Sequence, residues 1–134
     1  MTIRYRDAPD VKMLVNEIIE SLGFFHIVPQ FVHCVRSTGS NSTRTIARIH
    51  GLGRLWQEVL NCPPAYVIEV ISERFDNLSQ DEKEKTLIHE LLHIPKNFTG
   101  GFRPHKGYIS RKTIEVLHKR LENKRADKIL DHNE

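Results

Sequence analysis

The sequence predicts an α+β fold in which a small twisted mixed β-sheet packs with an N-terminal helix, a central helix and a C-terminal helix. Three observations predict it. Residues 10–22 carry an apolar stripe at helical spacing, residues 65–72 form a β-branched run, and residues 79–95 contain both a helix start and a helix stop. With 134 residues, 39% apolar and 28% charged, the chain is expected to form a single domain over residues 1–134.

The N-terminal helix is predicted over residues 10–22 because apolar side chains recur there at intervals of three and four residues. Asp7 or Asp10 is expected to cap its first turn, and Gly23 is expected to end it. This helix is expected to be part of the scaffold.

Four stretches rich in β-branched and aromatic residues predict the strands of the sheet. They are residues 24–28, 31–36, 45–50 and 65–72. Between the last two, residues 54–60 predict a short helix. Its apolar residues are expected to contact the core, namely Leu55, Val59 and Leu60, with Trp56 as a partly buried anchor.

The central helix has clear signals at both ends. Ser79 is followed three residues later by Glu82, which is the pattern of an N-terminal capping box. Pro95 forbids helical geometry beyond it and pushes Ile94 out of the helix. The helix is therefore predicted over residues 80–94.

This helix contains the sequence His89-Glu90-Leu91-Leu92-His93, which fits the pattern H-E-x-x-H. Residues four apart on a helix share a face, so both imidazoles can point to one metal ion, away from the apolar side of the helix. The intervening glutamate is placed to take a proton from a metal-bound water. The pattern predicts a catalytic Zn²⁺, one per chain, and a metallopeptidase with Glu90 as general base.

Catalytic zinc usually has three protein ligands, and His105 is the best candidate for the third. It lies in the return loop, residues 96–108, whose glycines and proline favour a reversal over the helix end. Three alternatives lie on the last helix, which is predicted over residues 110–130: His118, Glu115 and Glu122. Tyr108 or Arg103 is expected to stabilise the oxyanion.

The substrate is expected to be a peptide or protein. An extended peptide can add as a new strand beside an existing one, and strand Tyr66–Ile71 directly precedes the metal helix. Substrate binding along Tyr66–Ile71 is therefore one expectation. The alternative is that this segment is an internal strand of the sheet.

The net charge of +3 is concentrated near the C-terminus, where residues 103–130 contain nine basic and three acidic side chains. This helix could bind nucleic acid, although a solvated helix face is favoured. No apolar stretch approaches a membrane span or a signal sequence, and the two cysteines are far apart. A cytoplasmic protein with reduced thiols is expected.

The stretch from residue 65 to residue 108 resembles a small family of archaeal and phage or viral metallopeptidases. The resemblance rests on residues 75–79, on Ile88-His89-Glu90-Leu91-Leu92-His93-Ile94-Pro95, on the spacing of Gly100, Gly101 and His105, and on residues 46–56 upstream. It implies a minimal zincin-like fold with His89, His93 and His105 as zinc ligands and Glu90 as the base.

Other functions remain open. A protease similar to SprT-like enzymes, acting on nucleic-acid-bound proteins, would use the basic C-terminal helix. A non-catalytic module with a structural zinc would not need Glu90, and its site would more often contain cysteine. A ribosome-maturation endoribonuclease is disfavoured because its third histidine lies much nearer. The metzincin pattern is excluded because Lys96 and Thr99 replace its glycine and third histidine.

Overall fold

The computed structural model describes residues 2–105 and 107–132, and it contains one four-stranded mixed sheet flanked by helices. The strands are β1 (Arg4–Asp7), β2 (Val32–Thr38), β3 (Ala47–Gly51) and β4 (Tyr66–Ile71), in the spatial order β1-β2-β4-β3. β2 and β4 run parallel, whereas β1 with β2 and β3 with β4 are antiparallel. The predicted α+β class and mixed sheet are confirmed.

The helices are α1 (Pro9–Leu22), α2 (Arg54–Leu60), the single turn α3 (Ser72–Phe75), α4 (Gln80–Leu92) and α5 (Arg111–His132). A short 3-10 helix, Pro29–Phe31, precedes β2. Buried side chains of α1, α4 and α5 share one core with one face of the sheet. This core includes Val11, Val15, Ile18, Val32, Ile68, Val70, Leu87, Ile88, Leu91 and Leu121.

The start of α1 differs from its prediction, whereas its end agrees with it. The N-cap residue is Ala8, and no side chain caps the helix. Asp10 instead binds Arg36 on β2, with a distance of 2.5 Å between Nη1 and Oδ1, and this bond lowers the pKa of Asp10 to about 2. Gly23 ends α1 in the left-handed conformation, with φ of 67°.

The strand prediction for residues 24–28 is wrong, and the short strand β1 was not predicted. Residues 24–28 form turns closed by the Phe24 amide to Ile19 and the Ile27 amide to Phe24. Ile27 is buried and Phe24 packs against the core, whereas Phe25 is 93% exposed, so this apolar composition reflects packing from turns and not a strand. The four residues of β1, Arg4–Asp7, are all exposed and show no alternating apolar pattern that would predict a strand. The strand forms through backbone pairing with β2.

The prediction that the apolar residues of α2 face the core is also wrong. The exposed fractions are 72% for Leu55, 59% for Trp56, 71% for Val59 and 58% for Leu60. The polar side of α2 contacts the protein instead. The Gln57 amide donates to the carbonyls of Leu52 and Thr99, so it links α2 to the return loop.

The boundaries of α4 agree closely with the sequence signals. Ser79 caps the helix, and its Oγ accepts the amide of Glu82 at 3.2 Å. The helix ends at Leu92, two residues before the prediction. The chain then tightens, because the amides of His93 and Ile94 bond three residues back rather than four.

A buried polar network fixes α5 against α4 and α1. Glu84 of α4 is fully buried and accepts from His118 Nε2 and Arg125 Nη1, each at 2.8 Å. Arg125 also binds Glu17 of α1 at 2.7 Å. Arg125 is thus a structural residue, although other basic side chains of α5 are exposed. On the inner side of α5, Leu117 and Leu121 are buried.

The position of β4 rules out the expected peptide addition along Tyr66–Ile71. β4 is hydrogen-bonded to β2 on one side and to β3 on the other, so both of its edges are occupied. Among the described residues, the outer edge of β3 carries no strand. It is therefore the sheet edge available to a peptide near α4.

Among the described residues, no helix is both long enough and apolar enough to cross a membrane.

The return loop approaches the sheet at Gly51. A Cβ atom built on Gly51 would overlap the carbonyl oxygen of Gly100, whose φ is +93°. Two glycines, one on β3 and one in the loop, therefore permit a close backbone approach that larger residues would block.

Gly51→Ala is expected to lower the free energy of unfolding by about 1–3 kcal/mol, because the new methyl group must push the return loop away from β3. Gly53→Ala is the matched control, since a Cβ at Gly53 meets nothing within 4 Å. Chemical denaturation of the two variants measures the difference. Equal stability of the two would contradict the close approach.

Candidate metal centre

Three histidines from two parts of the chain converge at the end of α4. His89 and His93 lie one turn apart on the helix, and the return loop brings His105 against both. One ring nitrogen from each residue lies within 4.8 Å of the others. The ring centroids of His93 and His105 are 4.5 Å apart. These are the three histidines that the sequence predicts as metal ligands.

The distances within the cluster suit a small metal ion. Nε2 of His89 and Nε2 of His105 are 3.1 Å apart. Two imidazole lone pairs cannot face each other at that distance unless a proton or a cation lies between them. Tetrahedral zinc binds nitrogen at about 2.0–2.1 Å, which separates neighbouring ligand nitrogens by about 3.3 Å. The donor set and its spacing therefore fit zinc.

The orientation of His93 is set by a backbone carbonyl. His93 Nδ1 lies 3.0 Å from the carbonyl oxygen of Arg103. A carbonyl can only accept, so Nδ1 carries the proton and Nε2 keeps its lone pair free. Metal-binding histidines commonly have such a partner, which fixes both the tautomer and the ring plane.

The return loop is held in place by several bonds. The Tyr66 hydroxyl accepts the Gly100 amide at 2.9 Å and donates to the Gly101 carbonyl at 2.7 Å. The Arg103 amide donates to the His93 carbonyl at 2.6 Å. These bonds tie the loop to β4 and to the end of α4. No local sequence pattern predicts this role of Tyr66, because its partners lie 34 and 35 residues away.

The alternative third ligands lie elsewhere. His118 is buried and bound to Glu84, while Glu122 lies 3.5 Å from the other ring nitrogen of His118. Glu115 binds Lys85 at 3.2 Å. Asp81, Glu84 and His118 form a second group with metal-like spacing. Because Glu84 already binds Arg125, this group is explained by ion pairs.

Glu90 is buried beside the histidine cluster, with an exposed fraction of 8%. Burial raises the pKa of Glu90 to about 7, since a carboxylate loses hydration there. Burial, followed by the charges of His93 and His105, lowers the pKa of His89. The neutral imidazole that this shift favours is the form that binds metals.

Tyr108 and Arg103 lie close to each other. The Arg103 guanidinium stands over the Tyr108 ring at 5.0 Å and donates to the Ile94 carbonyl at 3.2 Å. The Tyr108 side chain is 53% exposed. Arg103 lines a cavity beside the cluster, whereas Tyr108 is outside the lining of both cavities described below.

Two cavities flank the histidine cluster along the outer edge of β3. Their volumes are about 530 and 570 Å³, and both are lined by Ala47, His89, Glu90 and His105. The cluster therefore lies where the two cavities meet. A chain that ran along β3 from one cavity to the other would pass Glu90.

The family model described as "Putative phage metallopeptidase" matches residues 3–129. No curated protein and no solved structure matches the chain.

His105→Ala is expected to weaken zinc binding more than 100-fold. Loss of a residue that only hydrogen-bonds to a metal ligand already lowers metal affinity by roughly 10–100-fold, and loss of a ligand itself should cost more. Competition with a chromogenic chelator measures the affinity. His33→Ala is the control, since His33 is an exposed histidine on β2 outside the cluster. Equal zinc affinity of wild type and His105→Ala would mean that the third ligand lies elsewhere.

Proposed function

Because the chain belongs to the phage metallopeptidase family, we propose that it is a zinc-dependent peptidase in which Glu90 is the general base. The observation that carries this proposal is the convergence of His89, His93 and His105 beside a buried glutamate. Family membership supports a metallopeptidase, and the donor set supports zinc.

His89, His93 and His105 are the residues proposed to hold one Zn²⁺ per chain. Three nitrogen donors are typical of open catalytic zinc sites, whereas closed structural sites more often contain cysteine. Cys34 is buried in the core, and neither cysteine belongs to the cluster. When bound, zinc polarises a substrate carbonyl and lowers the pKa of water toward neutrality.

Glu90 is proposed to take a proton from the attacking water and to deliver it to the leaving nitrogen. An acid or base works best when its pKa is near the working pH, and burial brings Glu90 into that range. Its position one residue after His89 places its carboxyl group between the two cavities. The peptide bond to be cut is therefore expected to lie at the junction of the cavities.

Tyr108 and Arg103 are proposed as candidates for the oxyanion donor. The Tyr108 ring lies under the Arg103 guanidinium, and about half of this side chain is exposed. Arg103 uses one nitrogen to bind Ile94 and retains further N–H groups. Either group would need to approach the junction of the cavities when substrate binds.

The substrate is proposed to be a peptide in extended form along the outer edge of β3. β3 pairs with β4 through one edge only, among the described residues. Ala47, Arg48 and Ile49 line the cavity beside the histidines, so a strand added there would pass Glu90. This location replaces the one along Tyr66–Ile71.

Glu90→Gln is expected to reduce peptide hydrolysis by roughly 10²–10⁴-fold, because the amide cannot accept the proton. Zinc binding should be retained, since the shape of the side chain is preserved. Digestion of a peptide library, followed by mass spectrometry, first identifies cleaved sequences. The rate with one such peptide is then compared between wild type and variant.

Glu58→Gln is the matched control, because Glu58 is an exposed glutamate on α2 that forms an ion pair with Arg54. It should cleave at the wild-type rate. A chelator should stop cleavage by wild type, and added zinc should restore it. A Glu90→Gln variant as active as wild type would refute the proposed role, and absence of any cleavage by the zinc-loaded wild type would favour a non-catalytic zinc module.

A further inference from the structure

One of the two cavities beside Glu90 extends between the start of β3, α4 and the start of α5. We call this space of about 530 Å³ the side cavity. Its apolar lining comes from two segments, Ile46 and Ala47 before and within β3, and Ile109 and Ile114 around the start of α5. This lining suits the methylene groups of a long side chain.

Two acidic residues of the side cavity share one lysine as their ion-pair partner. Lys85 lies 3.2 Å from Glu115 and 3.7 Å from Glu82. The hydrogen bond to Glu115 raises the pKa of Lys85, so this lysine keeps its charge. These three side chains form a local ion-pair group in which one lysine charge is shared by two carboxylates.

Two arginines of the side cavity remain available. Arg44 precedes β3, Arg111 begins α5, and both line the cavity with exposed side chains. Neither forms an ion pair with any acid in the described part of the chain. Apart from Glu90 at the catalytic end, the lining therefore has three basic and two acidic side chains.

We propose that the side cavity is a specificity pocket for a substrate side chain that ends in a carboxylate, with Arg44 and Arg111 as the selecting residues. This inference rests on the peptidase function proposed above. A guanidinium binds a carboxylate through two parallel hydrogen bonds, and the apolar lining covers the stem of a glutamate. A lysine at the same place would meet two cations and be rejected.

Peptides that differ only at one residue next to the scissile bond test this pocket. Glu, Gln or Lys is placed there, in separate series for each side of the bond, and kcat/KM is measured. Wild type is expected to cleave the Glu peptide about tenfold faster than the Gln peptide in one series, since a charged hydrogen bond contributes roughly that factor. The Lys peptide should be the slowest.

Charge reversal identifies the residues responsible. Arg44→Glu and Arg111→Glu are each expected to remove the preference for Glu and to favour Lys. Lys112→Glu is the matched control, because Lys112 is exposed beside Arg111 but lies outside the cavity lining. It should keep the wild-type preference.

Binding gives a second measurement that is independent of turnover. Labelled Glu and Gln peptides are titrated with zinc-loaded Glu90→Gln protein, and fluorescence polarisation gives the Kd. The Glu peptide is expected to bind about tenfold more tightly, and the difference should shrink as salt screens the charges.

Equal cleavage and equal binding of Glu and Gln peptides would overturn the pocket and leave the peptidase function intact. A preference for Glu that survives both arginine reversals would also overturn the assignment of Arg44 and Arg111. If zinc-loaded wild type cleaves no peptide of the library, the proposed function fails, and the pocket fails with it.

Discussion

The hydroxyl of Tyr66 fixes the return loop, and the metal centre depends on that loop. This side chain is fully buried at the start of β4, where its hydroxyl binds backbone groups of both Gly100 and Gly101. Phe98 packs against the same ring, with centroids 5.1 Å apart. Since β4 is held by strands on both sides, the loop that carries His105 is attached to the centre of the sheet.

A second constraint comes from the buried bonds between helices. Glu84, His118 and Arg125 hold α5 against α4, and the same helix α5 begins at the wall of the side cavity. A further ion pair between α4 and α5, Lys85 with Glu115, lies within the lining of that cavity. Buried ion pairs are costly when one partner is lost, so this arrangement favours a single geometry. Helix α4 is thus fixed by the cap at Ser79, by α5 and by the return loop.

The sequence predicts those parts of the fold that depend on neighbouring residues. The cap at Ser79 and the stop at Pro95 delimit α4, and the glycines at 100 and 101 indicated that the loop could bring His105 back to the helix. The other parts depend on distant partners. β1 exists only through pairing with β2, and the role of Tyr66 requires contacts 34 and 35 residues away. α2 contacts the return loop through Gln57, and its apolar side chains are exposed. The prediction that these apolar side chains contact the core was therefore wrong.

The most direct test is a crystal structure of the zinc-loaded protein, with diffraction data collected on both sides of the zinc absorption edge. The expected result is one zinc ion bound to ring nitrogens of His89, His93 and His105, with a fourth position open beside Glu90. Zinc at Asp81, Glu84 and His118, or a third ligand other than His105, would contradict this account of the metal centre.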